Sequence, residues 1–241
     1  MGTDAGNSVY RQLEGLAAEI PGWTPVDQLY TLYLSVLLTA PLGGDVLEIG
    51  SWCGRSSSVL GLAARASGGT RVHCLDLFPE KDYWRRNPYG TWSFELEIDG
   101  RRYGAYQEQT VWEEPYLRDI APLYERHRGI LEIFRESIEG RGLDDVVRWR
   151  RGTSDLLGTE PPGTRFRLAF VDGDHSYAGV CRDIDNIAPR LLPGGWICFD
   201  DAFSHYEGVN RAITDRIIES PDFEMGRQMT RKFFMARRRP V

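Results

Sequence analysis

Residues 45–56 are Asp45-Val46-Leu47-Glu48-Ile49-Gly50-Ser51-Trp52-Cys53-Gly54-Arg55-Ser56. The apolar start of this stretch predicts a short strand over 45–50, and Ser56 begins a predicted helix that extends to Ala66. Between them, Gly50 and Gly54 permit a tight turn and close approach of a ligand to the backbone. The unpaired N–H groups of the helix then face the carboxyl end of the strand, where open α/β sheets bind ligands. The stretch therefore predicts a ligand-binding turn.

Strands and helices alternate along the rest of the chain. The predicted strands lie at 45–50, 70–77, 146–150, 166–171 and 196–199, with one or two closing strands within 223–236. The predicted helices lie within 8–40, with a break at Pro21-Gly22, and at 56–66, 130–138, 180–192 and 209–218. This order is typical of an α/β fold with a mostly parallel, Rossmann-like sheet and helices on both faces. We expect one domain over 1–241, with N-terminal helices in 1–43.

Composition excludes several classes of protein. The chain has 241 residues, is 41% hydrophobic and contains no apolar run long enough to span a membrane. Its first residues lack the basic and apolar regions of a signal peptide, and its four cysteines form no CxxC pair, so we expect a cytoplasmic protein without a membrane partner. The net charge of −6 argues against a nucleic-acid partner. The basic segments 231–232 and 237–239 are interpreted as a solvated end.

One segment, 78–128, interrupts the alternation. It links a strand to a helix over about 50 residues and is rich in aromatic side chains. Segments 92–98 and 101–106 flank Asp99-Gly100, a strong signal for a β-hairpin. Because long structured links at the carboxyl edge of a sheet are often lids, we interpret 78–128 as an inserted substrate lid. The alternatives are a packed decoration or a contact between the subunits of a homodimer.

The chemistry of the turn discriminates between two nucleotide cofactors. Asp76, at the tip of the second predicted strand, can accept hydrogen bonds from the hydroxyl groups of a ribose. The turn lacks the third glycine of a dinucleotide-binding motif, and Arg55 and Ser56 fill that region. Glu48 sits poorly beside a diphosphate but well beside a cationic sulfonium or amino group. These residues favour S-adenosylmethionine over NAD.

The stretch from Glu48 to Ser57 resembles the first motif of the class I S-adenosylmethionine-dependent methyltransferases. Within them, the chain is similar over about 44–77 and 130–215 to small metal-dependent O-methyltransferases, namely the catechol and caffeoyl-CoA type and the antibiotic-sugar enzymes. The resemblance implies that Asp76 holds the ribose of the cofactor and that Thr153 and Ser154 lie by its adenine. The residues that it implies around the methionine end and in the turn are Glu48, Gly50, Ser51, Gly54, Ser56 and Asp172.

Carboxylates gather at the ends of two later strands. Asp172 follows one strand, and Asp200 and Asp201 follow its neighbour, so all three open onto the same crevice of a parallel sheet. Such carboxylates repel one another unless protons or a cation neutralise them, and oxygen ligands suit Mg²⁺ or another hard divalent ion. The resemblance implies metal ligands at the same three positions. The alternative is that Asp172, Asp174 or Asp201 caps a helix and that no metal binds.

Two residues are the main candidates for the catalytic base, and a third, His205, is interpreted as a solvated loop histidine. His175 has the intrinsic pKa better suited to neutral pH, and it is slightly preferred. Asp174 lies where the sugar-modifying relatives use an aspartate, and a carboxylate suffices once a metal has acidified the hydroxyl.

Together, these features predict transfer of a methyl group from S-adenosylmethionine to a hydroxyl of a small molecule, such as a natural-product sugar or aglycone, assisted by a divalent metal. Three alternatives stay open: a metal-independent N- or O-methyltransferase, an NAD-dependent oxidoreductase, and a non-catalytic binding protein.

Overall fold

The structure is a computed structural model that describes residues 4–104 and 110–240, with backbone only for 4–7. The helices are α1 (Asp4–Glu19), α2 (Val26–Thr39), α3 (Arg55–Ala66), α4 (Glu113–Pro115), α5 (Ile130–Glu139), α6 (Tyr177–Ile187) and α7 (Glu207–Ile213). The strands are β1 (Asp45–Ile49), β2 (Val72–Asp76), β3 (Trp84–Arg86), β4 (Thr91–Ile98), β5 (Arg101–Gly104), β6 (Val111–Trp112), β7 (Val147–Arg151), β8 (Phe166–Val171), β9 (Leu191–Phe199), β10 (Phe223–Gln228) and β11 (Phe234–Arg238). Short π-helical and 3₁₀ turns extend α4, α6 and α7.

The main sheet contains seven of the described strands, in the order β10-β11-β9-β8-β1-β2-β7. The five strands from β9 to β7 are parallel, whereas β11 is antiparallel to both of its neighbours. Two hydrophobic clusters cover opposite faces of this sheet. One cluster includes residues of α1, α2, α3 and α5, and the other includes residues of α6 and α7. The predicted mostly parallel α/β sheet with helices on both faces is confirmed.

Successive sheet residues alternate between the two clusters. Leu168 and Phe170 of β8 pack in the first cluster, and Ala169 and Val171 pack in the second. This alternation follows from the two-residue period of a strand and explains why β8 is buried along its whole length. Packing on both faces of the sheet therefore holds the ends of β1, β8 and β9 in fixed positions, and with them the residues that follow these strands.

The predicted boundary between the helix at 180–192 and the strand at 196–199 is wrong. Helix α6 ends at Ile187 and β9 already begins at Leu191. Pro189 explains the early helix end, because proline has no N–H to donate within a helix. The Pro193–Gly195 segment, expected between the two elements, lies inside β9, where the pairing with β8 shifts register between Phe166 and Leu168.

The 78–128 segment forms a small second sheet, in which β4 pairs with β3, β5 and β6. Asp99 and Gly100, with φ of 50° and 76°, form the two-residue turn between β4 and β5, so the predicted hairpin is confirmed up to Gly104. The end of the predicted strand at 101–106 lies outside the described residues. At the base of the segment, the Trp84 indole donates to the Tyr124 hydroxyl at 2.8 Å, and both residues are buried in the cluster that also covers α3.

Within the described ranges, no helix has both the length and the apolar character that a bilayer crossing requires. All four cysteines are buried, and they form no disulfide bond with one another.

Candidate active site

The glycine turn is packed directly against the end of β8. The Asp172 N–H donates to the Ile49 carbonyl at 2.7 Å, and the Asp200 N–H donates to the Val171 carbonyl at 3.0 Å. A Cβ atom at Gly50, whose φ is +88°, would lie 2.0 Å from the carbonyl oxygen of Asp172. The absence of a side chain at Gly50 therefore lets two strand ends meet, and it brings the turn and the carboxylates to one crevice.

Asp76 holds the backbone of the turn. Its Oδ2 accepts hydrogen bonds from the N–H groups of Ser51 at 2.8 Å and Trp52 at 2.9 Å, and its Oδ1 accepts from the N–H of Phe78. Burial raises the pKa of Asp76, and these donors oppose that rise. A carboxylate has about four acceptor positions, so capacity remains for a ribose hydroxyl. Its role towards the cofactor stays a prediction.

Glu48 lies beneath the turn. It is fully buried, and its Oε2 accepts hydrogen bonds from the hydroxyls of Ser51, at 2.7 Å, and Ser57. Burial raises its pKa, and the serine hydroxyls, including that of Ser56, oppose the rise. Its Oε1 has no hydrogen-bond partner within the described residues. The contacts give Glu48 a supporting position under Ser51, and direct contact with the methionine end of a cofactor stays a prediction.

The loop after β7 lies beside Asp76, because the Gly152 N–H donates to the Asp76 carbonyl at 2.9 Å. Thr153 is half-buried and caps the short 3₁₀ turn that follows. Ser154 is fully buried, and its hydroxyl donates to Asp183 Oδ1 at 2.6 Å. The hydroxyl of Ser154 thus points into the protein, so any contact with adenine comes from the backbone of this loop or from Thr153.

Asp183 gives this loop a pH-dependent stability. Burial raises the pKa of Asp183 to about 7 from 3.8, and the Ser154 hydroxyl opposes the rise. The folded chain therefore holds this proton more tightly than the unfolded chain. The stabilising contribution is full below about pH 4 and is lost as the pH rises through about 7.

We expect the Asp183→Asn variant to be more stable than the wild type at pH 8, by about 1–2 kcal/mol, because the amide cannot ionise and its oxygen still accepts from Ser154. The advantage should shrink at pH 5. Thermal unfolding at both pH values measures this. Asp185→Asn, an exposed change on the same helix, is the control. An equal stability of Asp183→Asn and wild type at pH 8 would contradict the expectation.

Three predicted site residues converge at the ends of β8 and β9. One potential ligand atom from each of Asp172, His175 and Asp201 lies within 4.8 Å of the other two. His175 Nε2 is 3.3 Å from Asp201 Oδ2. Burial, together with Asp200 and Asp201, raises the pKa of Asp172, whereas burial lowers the pKa of His175. The group combines two carboxylates with an imidazole, a donor set that suits a divalent ion.

Asp200 is turned away from this group. Its Oδ1 accepts from the Asp201 N–H at 2.6 Å, and its Oδ2 accepts from Lys232 Nζ at 3.1 Å. The same ammonium donates to Asp201 Oδ1, also at 3.1 Å. Burial lowers the pKa of Lys232, but Asp200 and Asp201 outweigh burial and raise it above its ordinary value. The structure brings Asp172 and Asp201 together as predicted, but the third member of the group is His175 and not Asp200.

Lys232 corrects the interpretation of the basic end of the chain. It is not a solvated tail residue, because it lies in the crevice and pairs with two carboxylates. Arg237 likewise pairs with Glu224 on the neighbouring strand. Lys81 and Lys232 are the only lysines among 29 basic residues, but Lys81 is exposed, so the rarity of lysine does not by itself mark Lys232 as a site residue.

Gln28, on α2, was not predicted as a site residue. It is 0% exposed, and neither Nε2 nor Oε1 makes a hydrogen bond of ordinary geometry with the described residues. Burial and Asp201 raise the pKa of Asp200, and the neighbouring Gln28 amide opposes that rise. A buried amide without a hydrogen bond of ordinary geometry is costly, so a ligand or an ordered water between Gln28 and Asp200 would stabilise it. Together with the donor set around Asp172, it fits a hydrated divalent ion.

The two candidate bases occupy different environments. Asp174 Oδ1 accepts from the Ser176 N–H at 2.8 Å in the turn before α6, but Ser176 and not Asp174 is the N-cap of that helix, so the capping interpretation is wrong for Asp174. His175 belongs to the acidic group, and its ring lies 4.1 Å from the ring of Tyr206, centroid to centroid. The geometry favours His175 over Asp174 for contact with a substrate at the crevice.

Comparison with known proteins agrees with this architecture. A family model described as a methyltransferase domain matches residues 47–202. The chain belongs to this family. The matched segment contains the glycine turn, Asp76 and the carboxylates after β8 and β9, so the methyltransferase resemblance inferred from the sequence is confirmed. Gln28 and Lys232 lie outside it, and this methyltransferase domain therefore receives two crevice residues from its flanking segments.

A curated relative of the methyltransferase is 8-demethyl-8-(2,3-dimethoxy-alpha-L-rhamnosyl)-tetracenomycin-C 4'-O-methyltransferase of Streptomyces olivaceus. The two are 28% identical over 199 residues, which cover 79% of this chain and 65% of that relative. The chain thus matches less than two thirds of the relative's length.

Two solved structures share the fold. The O-methyltransferase NovP has a TM-score of 0.62 at 15% identity, with 98% of each chain covered. The O-methyltransferase from Bacillus cereus, solved in complex with SAH, has a TM-score of 0.57 at 18% identity, with 96% of this chain and 91% of that chain covered.

Proposed function

We propose that this protein transfers a methyl group from S-adenosylmethionine to a hydroxyl of a small molecule. The observation that carries the proposal is the packing of the glycine turn, anchored by Asp76, against the strand end that presents Asp172 and His175. Membership of the methyltransferase family supports the reaction type. The names of the relatives, which are O-methyltransferases, support oxygen as the acceptor atom.

The turn supplies the cofactor-binding half of the site. Asp76 would accept from the ribose hydroxyls, and Ser51, held by Glu48, would border the methionine end. Thr153 and the backbone at Ser154 would border the adenine. S-adenosylmethionine, when bound, supplies an activated methyl group on a sulfonium centre. In the transfer, the acceptor oxygen forms a bond to the methyl carbon as the carbon–sulfur bond breaks, leaving S-adenosylhomocysteine.

The acidic half of the site prepares the acceptor. Asp172 and Asp201 would hold a divalent ion such as Mg²⁺, and Asp200 would join them if Lys232 withdrew, which would leave Nε2 of His175 free to act as a base. Such an ion, when bound, lowers the pKa of a hydroxyl and orients it. His175 takes the hydroxyl proton at Nε2, and Tyr206 fixes the plane of its ring. Because burial lowers the pKa of His175, its imidazole is neutral and able to accept that proton near neutral pH.

The proposed acceptor is a hydroxyl on a sugar or aglycone of an antibiotic-type natural product. The curated relative acts on the rhamnosyl group of a tetracenomycin, which supports this class. The 78–128 segment is the proposed lid over the acceptor. Arg101, at the tip of its hairpin, has its guanidinium 3.7 Å from the Asp155 carboxylate, so the segment reaches the loop after β7, which supports this proposal.

A second candidate is methyl transfer without metal. Lys232 favours it, because its ammonium already neutralises part of the charge of Asp200 and Asp201. In that case His175 alone removes the proton, and positioning of the two substrates supplies most of the rate.

Isotope-labelled S-adenosylmethionine tests the proposal and separates the two candidates. The acceptor panel comprises a rhamnosylated tetracenomycin-type glycoside, its aglycone, a catechol and a primary amine. We expect label on a hydroxyl oxygen, a loss of at least about 100-fold in rate with a chelator, and recovery with Mg²⁺. Label on the amine alone would contradict O-methylation. An unchanged rate in chelator would contradict the metal and support the second candidate.

A further inference from the structure

Lys232 is a cation that belongs to the chain and lies inside the acidic group. Its Nζ is 3.1 Å from Asp200 Oδ2 and 3.1 Å from Asp201 Oδ1. Three neighbouring carboxylates repel one another unless positive charge lies among them. In the protein without a divalent ion, the ammonium of Lys232 provides that charge.

The position of Lys232 controls which carboxylates are available as ligands. Both oxygens of Asp200 are engaged, one by the Asp201 N–H and the other by Lys232. Asp201 divides its oxygens, with Oδ2 towards His175 and Oδ1 towards Lys232. While the lysine is in place, the set that converges is therefore Asp172, His175 and Asp201, without Asp200.

The side chain of Lys232 can leave while its backbone, in the turn before β11, stays in place. Its carbonyl accepts from the Ala202 N–H at 2.9 Å, and the next residues, Phe233 and Phe234, are buried, so the backbone is fixed. Its side chain is 22% exposed, which gives the ammonium a short path to solvent. Because its backbone is anchored and its side chain is partly exposed, Lys232 can move its ammonium group from the carboxylates to solvent without a change in the fold.

We propose that Lys232 is the resident cation of the acidic group and competes with the divalent ion for Asp200 and Asp201. The proposal rests on the proposed function only in assuming that a divalent ion binds in this crevice. Binding of the ion then displaces the ammonium, frees Asp200 and completes the set of three carboxylates. Lys232 thus sets the apparent affinity for the metal and keeps the crevice neutralised before the metal arrives.

Direct Mn²⁺ binding to the full chain, measured by calorimetry, tests the competition. We expect Lys232→Met to bind Mn²⁺ at least about tenfold more tightly than wild type, because a positive charge a few ångströms from the ion is removed. Lys232→Arg, which keeps the charge, should bind no more tightly than wild type. Lys81→Met, which removes the other lysine, is exposed and serves as the matched control. Equal or weaker Mn²⁺ binding by Lys232→Met than by wild type overturns the proposal, as does absence of binding to both.

A second measurement uses the unsubstituted protein. Because the chain has two lysines, ¹³C-lysine labelling gives two side-chain signals, which the Lys81→Met variant assigns. We expect Mg²⁺ to shift the Lys232 signal and to leave that of Lys81 unchanged. A Lys232 signal that stays in place while calorimetry reports Mg²⁺ binding overturns the proposal. Titration of S-adenosylhomocysteine and methyl transfer, run in parallel, report separately on the proposed function.

Discussion

The Gly50→Ala variant is expected to lose about 4 kcal/mol of its free energy of unfolding, and with it most of its cofactor binding. The new Cβ would lie 2.0 Å from the Asp172 carbonyl oxygen and 2.8 Å from the Gly173 nitrogen. Backbone atoms cannot rotate away as a side-chain tip can, so the end of β1 must separate from the end of β8. The cofactor turn and the acidic group would then move apart.

The matched control is Gly43→Ala. Gly43 also has a positive φ, of +68°, but a Cβ there would meet no atom within 4 Å. With a ψ of −165° its backbone adopts a conformation that is essentially restricted to glycine, so the variant should cost about 1–3 kcal/mol of backbone strain but no steric clash. Urea denaturation of both variants measures the difference. Equal costs for the two variants would contradict the close approach of the strand ends as the reason for Gly50.

The second large effect is expected at the proposed base. We expect His175→Asn to lower kcat about 100- to 10,000-fold, the range typical of a general base, while S-adenosylhomocysteine binds with unchanged affinity. The reason is that His175 Nε2 belongs to the group around Asp201, whereas the cofactor half of the site lies at the turn. Steady-state kinetics and calorimetry of the same preparation separate the two quantities.

Asp174→Asn is the comparison for that variant. An asparagine oxygen can still accept from the Ser176 N–H, so the turn before α6 keeps this hydrogen bond. We expect kcat to fall less than tenfold. If Asp174→Asn instead lost more activity than His175→Asn, the base would be Asp174 and the assignment to His175 would be wrong.

The fold was predictable from local patterns. A strand, a glycine turn and a helix at 45–66, followed by further alternation, specified a mostly parallel sheet. The prediction was wrong at the start of β9, because the apolar residues of 180–192 gave a helical period that overrode the signal of Pro189. The Asp99-Gly100 hairpin was also predictable, since two successive positive φ angles favour those residue types.

The residues of the candidate site were predictable only where they directly follow a strand in the sequence. Asp172 and Asp201 could be placed because parallel strands end at one edge. Gln28 and Lys232 could not, because only the tertiary fold brings α2 and the turn before β11 to the crevice. For Asp200 the sequence could not indicate which partner it meets, and the ion pair with Lys232 depends on the pairing of β11 with β9.

Calorimetric titration of the wild-type chain with S-adenosylhomocysteine and with NAD tests the central claim most directly. The claim is that the turn from Gly50 to Gly54, with Asp76, binds an S-adenosyl cofactor beside the acidic crevice. We expect saturable one-to-one binding of S-adenosylhomocysteine with a dissociation constant in about the micromolar range, and no binding of NAD. Binding of NAD without binding of S-adenosylhomocysteine would contradict the claim.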